Sequence, residues 1–212
     1  MKKLVLIGQG GHAKVITDIV NVNKEYQIIA VFDDMHQSLH HQNGVLYGPV
    51  SALSSLIKDD DFKIIIAIGN NDVRKKIVEQ LNLAEDRYAT VIHPTAIVSD
   101  SALVGFGTVI MPNAVVNANT TIGRHAIINT GAVIEHDNEI GDFVHISPNS
   151  TLTGMVTVGE GVHVGASATI IPMKKIGNWA VIGAGSTVIS NIPSCCTAVG
   201  LPAKVIKKSD IM

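Results

Sequence analysis

Two hydrophobic rhythms divide the chain. Up to about residue 90, apolar residues come in short blocks. "KKLVLIG", "QIIAVFDD" and "FKIIIAIGNN" are nearly unbroken runs rich in β-branched residues, the pattern of strands buried on both faces of a parallel sheet. "KVITDIVNV" and "DVRKKIVEQL" carry apolar residues at helical spacing, with Asp72 placed as the N-cap of the second. "GPVSALSSLI" reads as a turn and a short helix. Strands alternating with helices predict a Rossmann-like α/β unit with right-handed crossovers.

From residue 98 the rhythm changes to a period of six. Val98, Val104, Ile110, Val116, Ile122, Ile128, Ile134, Ile140, Ile146, Leu152, Val158, Val164, Ile170, Ile176, Ile182 and Val188 follow one another without a frame shift. Glycine often comes next, as at Gly105, Gly123 and Gly141, and four positions on the residue is usually small, as at Ala114, Ala126, Ala132 and Ser150. A fixed short period of this kind predicts a parallel β-helix. Three hexads make a triangular coil of eighteen residues, with each aliphatic stacked inside the prism on its counterpart one coil away. The expected division is residues 1–90 for the α/β domain and 91–212 for the β-helix with its C-terminal tail.

Composition agrees with a narrow repetitive core: only 4% of the 212 residues are aromatic. The formal net charge of −2 is spread along the chain, which argues against nucleic acid or a membrane surface as partner. The opening apolar run is too short to span a bilayer and leads into a glycine loop rather than a cleavage site, so a cytoplasmic location without membrane insertion is expected. The adjacent Cys195 and Cys196 cannot build a disulfide framework.

Candidate chemistry gathers in two places. In α/β sheets ligands sit at the carboxyl ends of the strands, where Gly8 to His12, Asp33-Asp34 and Gly69 to Asn71 are expected. A helix N-terminus can take phosphate oxygens, and a carboxylate after the second strand can accept from a ribose hydroxyl or a base N–H. That suits a nucleotide or nucleotide sugar. In the repeats, "AVIEHDNEIGDFVHIS" sets His136 two residues beyond the inward Ile134, with Ala118 and Gly154 one coil away on either side. His145 and His163 are eighteen apart and should stack. His125 has no such partner and reads as an ordinary surface residue.

The unbroken hexads resemble the left-handed β-helix acyltransferases. Together with "GQGGHA", "FDD", "IGNNDVRKKI", "NTGAVIEHD" and "VGLPAKVIK", the whole chain resembles the NeuD/PglD-type sugar acetyltransferases, and within them the UDP-4-amino-sugar N-acetyltransferases. The resemblance implies a homotrimer with acetyl-CoA lying between neighbouring prisms. It implies His136 as general base beside Asp137, which is one methylene shorter than the glutamate of that pattern. It further implies cofactor contacts at His145, Gly154, Ala166 and Ala184, and a nucleotide-sugar site at Gly10, Gly11, His12, Asp33, Asp34 and Gly69. The residues fit that chemistry on their own terms. A protonated sugar amine must lose a proton before it attacks a thioester, and histidine beside a carboxylate is suited to take it. Backbone N–H groups of the coils could polarise the thioester carbonyl.

Other classes fit less well. The intervals of nine and eighteen between His136, His145 and His163 do not form a zinc-ligand pattern, and no metal is expected. O-acetylation of a sialic acid or another sugar is an alternative within the same family. A non-catalytic sugar-binding scaffold would have no need of "IEHD".

Overall fold

In a computed structural model, which describes residues 1–55 and 62–208, the chain begins as a five-stranded sheet of order β3-β4-β2-β1-β5. The elements are β1 (Lys2–Ile7), α1 (Gly11–Asn23), β2 (Tyr26–Phe32), β3 (His40–Gln42), β4 (Val45–Gly48), β5 (Phe62–Ile66) and α2 (Asn71–Leu81). β1 lies between β2 and β5, both parallel to it. Its Leu4, Val5, Leu6 and Ile7 are buried, as an unbroken apolar run requires. The three expected strands and two of the expected helices are present.

One local expectation needs correction, and one hairpin was not foreseen. "GPVSALSSLI" does form a short helix, of 3-10 type, over Val50–Ser55; Leu56 and Ile57 lie outside the described residues. The hairpin β3–β4 carried no strand-like alternation in its first arm; its Asn43 and Gly44 both take positive φ, the dipeptide signature of a tight turn. The N-cap of α2 is Asn70, whose side chain accepts from the Val73 N–H at 2.9 Å. Asp72 instead sits inside the first turn and pairs with Lys76 at 2.7 Å.

From Val91 the chain is a left-handed parallel β-helix whose strands up to Val188 are two residues long; with two longer strands at its end, its three sheets have six, five and eight strands. The pairings run in steps of eighteen residues: Ile110 pairs with Ile128, Ile128 with Ile146 and Ile146 with Val164. The predicted inward positions are buried from Ile110 to Val188. Val98 and Val104, in the first coil, pack partly buried against that core. The small positions Ala114, Ala126, Ala132, Ser150, Ala168, Ala180 and Ser186 are buried too. The third sheet ends with Cys196–Val199 and an antiparallel strand, Lys204–Lys208. Cys196 is buried in the prism and Cys195 is half-buried.

The α/β domain is seated on the flank formed by this third sheet. Val91, Val109 and Met111 join Leu4, Ala13, Ile16 and Ile19 in one cluster. Asn23 Nδ2 donates to Ile92 O, and Thr90 Oγ1 to Gly105 O. An ion cluster of Arg124 with Asp142 and Glu85 closes the lower edge. His125 departs from the expected surface role. It is buried, stacked on Phe143 with ring centroids 5.2 Å apart, and meets the edge of Tyr88 at 4.6 Å.

Candidate active site

His136 sits at a corner of the prism, two residues beyond Ile134, and its side chain is about half exposed. Its Nδ1 donates to Asp137 Oδ2 at 2.7 Å. The shorter aspartate therefore still reaches the ring, helped by its backbone, which takes φ +57, a region Asp tolerates better than most residues. Asp137 Oδ1 accepts from Asn119 Nδ2, one coil away, at 3.3 Å. The bond from His136, then that from Asn119, holds the Asp137 carboxyl below its usual range. With Nδ1 committed as donor, Nε2 is left with its lone pair outward. The Nε2 edge lies over Gly154: a Cβ there would stand 2.7 Å from both Nε2 and Cε1. Beneath the turn, fully buried Asn138 donates to Glu135 O at 2.5 Å and to Thr153 O at 3.0 Å. One interior amide thus pins the corner that carries the dyad.

His145 lies on a different face, in the sheet against which the α/β domain packs. Its Nδ1 donates to Gly69 O at 3.3 Å, and its Nε2 accepts from Asn129 Nδ2 at 3.0 Å. Asn129 is oriented for this because its Oδ1 takes the Thr130 N–H. The ring stacks on His163 with centroids 4.8 Å apart, as the eighteen-residue spacing predicts, and lies 6.5 Å from the ring of His12. Burial, then His163, Arg74 and His12, pull the His145 imidazole down to about 3. Burial and Arg74 bring His12 to about 4 and lower His163 in the same sense. All three are neutral at physiological pH. Gly69, Asn70, Asn71, His145, His163 and Trp179 line a cavity of 440 Å³.

The expected nucleotide loops converge at the carboxyl ends of β1, β2 and β5. Gly8, at φ +109, is the glycine the turn needs, since a Cβ there would stand 2.9 Å from Ala67 O. Gly10, Gly11 and Gly69 instead face open space, room a ligand could use. The two aspartates divide. Asp33 spends one oxygen on Gln9 N–H at 2.7 Å and the other on Met35 N–H at 2.9 Å, so it shapes the loop. Asp34 is exposed and accepts from Val50 N–H through Oδ1. A cavity of 510 Å³ opens beside Gly8, Gln9, Lys14, Met35 and Tyr47.

The remaining expected cofactor positions border one face of the prism. Gly154 shares the His136 corner. Ala166 and Ala184, one coil apart, occupy the corner at the other edge of that face, beyond Val164 and Ile182. Within one chain the structure joins His136 to Gly154, and His145 to Gly69 and His12, but it does not bring His136 to His145. Sequence reasoning missed Asn119, Asn129 and Asn138. The first is exactly one coil from Asp137, so the eighteen-residue offset that paired His145 with His163 would have found it. Among the described residues, no group of three or more His, Cys, Asp or Glu side chains could hold a metal ion, and no helix is long and apolar enough to cross a membrane.

Known proteins match this chain in both halves. Residues 3–81 match the PglD N-terminal domain and residues 101–136 the bacterial transferase hexapeptide repeats. The acetyltransferase domain of PglB from Neisseria gonorrhoeae FA1090 is 34% identical, with a TM-score of 0.88 over 97% of this chain and 100% of its own. PerB from Caulobacter crescentus, solved in complex with CoA and GDP-perosamine, is 36% identical, with a TM-score of 0.87 over 97% of each chain. UDP-N-acetylbacillosamine N-acetyltransferase of Bacillus subtilis (strain 168) is 48% identical over 108 residues, so the match spans half the length of that curated relative. With both halves accounted for and near-complete coverage of solved relatives, the chain belongs to the PglD-type family of hexapeptide-repeat sugar acetyltransferases.

Proposed function

We propose that the protein transfers the acetyl group of acetyl-CoA to the amine of a nucleotide-linked 4-amino sugar, UDP-linked in our reading, in the cytoplasm and for the synthesis of a surface glycan. The observation that carries this is His136: its Nδ1 is tied to Asp137 at 2.7 Å, and its Nε2 edge is free above Gly154. A base built this way takes one proton from the attacking amine. The N–C bond forms first, giving a tetrahedral adduct; its collapse breaks the thioester C–S bond, and the proton that His136 took from the amine passes to the departing sulfur. Backbone N–H groups aimed at the thioester oxygen would stabilise the intervening oxyanion. No covalent enzyme intermediate is needed, and the chain's own residues supply the chemistry without a metal.

In this reading residues 1–90 hold the nucleotide sugar at Gly10, Gly11, His12, Asp34 and Gly69, with Asp33 shaping the loop. Residues 91–212 hold acetyl-CoA at His145, Gly154, Ala166 and Ala184. The relatives support the two ligand classes: PerB was solved with CoA and GDP-perosamine, and the gonococcal domain with acetyl coenzyme A. Because His136 and His145 lie on different faces, a complete site needs two chains, and a cyclic homotrimer meets that need.

The test is a panel of UDP- and GDP-linked 4-amino sugars, with sialic acid as the hydroxyl acceptor, incubated with acetyl-CoA while free thiol is followed. Thiol release confined to the amino sugars is expected. Release with sialic acid alone would move the reading to O-acetylation. Saturable nucleotide-sugar binding without any thiol release would leave only a binding scaffold.

A further inference from the structure

The stretch "NDVR" at the start of α2 holds a guanidinium buried between the helix and the prism. Arg74 is 1% exposed. Its Nε donates to His125 O at 2.8 Å, and its Nη2 to Phe143 O at 2.8 Å and Asn71 Oδ1 at 3.0 Å. Its Nη1 donates to Ile68 O at 2.9 Å and Gly69 O at 3.3 Å. Every one of these acceptors is neutral. Burial pulls the guanidinium down to about 9, which leaves it charged at neutral pH. Asn71 continues the pattern, with Nδ2 donating to Gly161 O and Val162 O at 3.1 Å each. His125, Phe143 and Gly161 are the same corner in three successive coils. Two side chains from one helical turn therefore grip three rungs of the prism.

A buried charge is a costly way to glue two surfaces, and apolar residues of similar volume often do so as well or better. What a guanidinium does, and a methyl group cannot, is fix the direction of several carbonyls at once. One of those carbonyls meets His145 directly, and another lies just before it in the chain. Gly69 O also receives the His145 Nδ1–H, and Phe143 O belongs to the residue two before it. The ring is held between Gly69 O and Asn129 Nδ2, with one tautomer allowed.

We propose that Arg74 is a positioning residue for acetyl-CoA binding: through Gly69 O it keeps His145 in the Nδ1–H tautomer, and through Phe143 O it fixes the backbone that carries the ring, so that His145 is held at one orientation. This rests on the reading of His145 as a cofactor contact.

The experiment uses the full chain. Long-range ¹H–¹⁵N spectra report the tautomer of each histidine, and steady-state kinetics separate the KM for acetyl-CoA from that for the nucleotide sugar. In the unmodified protein His145 should be neutral and protonated on Nδ1. In Arg74→Lys, which keeps the charge but cannot span the carbonyls, it should become a mixture of tautomers. The KM for acetyl-CoA should rise roughly 10-fold, with that for the sugar changing less than about two-fold. An Nε2–H tautomer in the unmodified protein overturns the proposal without any variant having to fold. An unchanged tautomer in folded Arg74→Lys overturns it as well. Unaltered CoA affinity in His145→Ala, measured by calorimetry, would remove the reading of His145 itself and the proposal with it, a failure distinct from the other two.

Discussion

Gly154 decides where His136 can lie. Its backbone is not in the left-handed region, so alanine is tolerated by the chain, yet the added methyl would stand 2.7 Å from the imidazole edge. Because His136 is half exposed, the ring can swing away at little cost. Gly154→Ala should therefore change stability by less than about 1 kcal/mol while lowering kcat at least 10-fold, which thermal melts and steady-state rates would separate. His136→Ala should lower turnover by roughly 10²- to 10⁴-fold with nucleotide-sugar binding retained; near-normal turnover in the folded variant would remove His136 as the base. Asp137→Asn keeps a partner for Nδ1 but loses the charge that stabilises the imidazolium formed during transfer, and a smaller fall is expected. His136, His145 and their neighbours were legible because imidazoles and carboxylates stand out among aliphatics. The amides that orient them were not, because an asparagine in a turn is ordinary until the coil offset places it beside a partner.

At the scale of elements, the stack of His125 on Phe143 shows the limit of reading one position alone. His125 was expected at the surface for want of a histidine one coil away; its actual partner eighteen residues on is a phenylalanine. The same corner continues to Gly161, which must be glycine because a Cβ would collide with the ring of Trp179. Burial, then Arg74, lowers the His125 imidazole to about 4. The unfolded chain takes up this proton near pH 6.5, ahead of the folded one. Stability is therefore full above that pH and declines as the pH falls toward 4. The loss from this one residue reaches about 2 kcal/mol by pH 5. His125→Phe keeps the stack, and Phe143 shows that a phenylalanine is accommodated at the same backbone angle. Urea titrations at pH 7 and pH 5 should show a smaller acid-induced loss in the variant; an equal loss would place the sensitivity in His12, His145 or His163. The repeat itself was fully legible, since its inward positions are fixed by period alone. The β3–β4 hairpin was not, because its pairing answers to a two-residue turn rather than to hydrophobic alternation.

For the whole molecule, the separation of His136 and His145 onto different faces is the fact with most reach. The corner of His136 and that of Ala166 and Ala184 border the same face, whose outward residues include Ile97, Val115 and Val133. If neighbouring chains meet there, one contributes the base and the other the cofactor contact. Mixing inactive His136→Ala and His145→Ala chains under exchange conditions should then regenerate some intact sites and recover activity. Mixed oligomers without recovery would mean each chain is sufficient alone, and a fully active monomer would rule out sharing. The interval of nine, half a coil, already turns His136 and His145 in different directions and calls for a shared site; what the period of six does not say is which outward face meets a second copy.

The grip of α2 on three rungs also makes the prism a measured length rather than an open-ended stack. Coils add about 4.8 Å each, and repeat proteins generally tolerate gain or loss of whole units because each touches only its neighbours. Here that freedom is uneven. A duplicated coil inserted after Val188 would lengthen the rod and leave the spacing of Phe143 and Gly161 untouched. The same eighteen residues inserted between those two would carry Gly161 one step beyond the reach of Asn71, and His163 away from His145. The chain can grow at its far end, while its middle is calibrated to a helix turn that lies outside the repeat altogether.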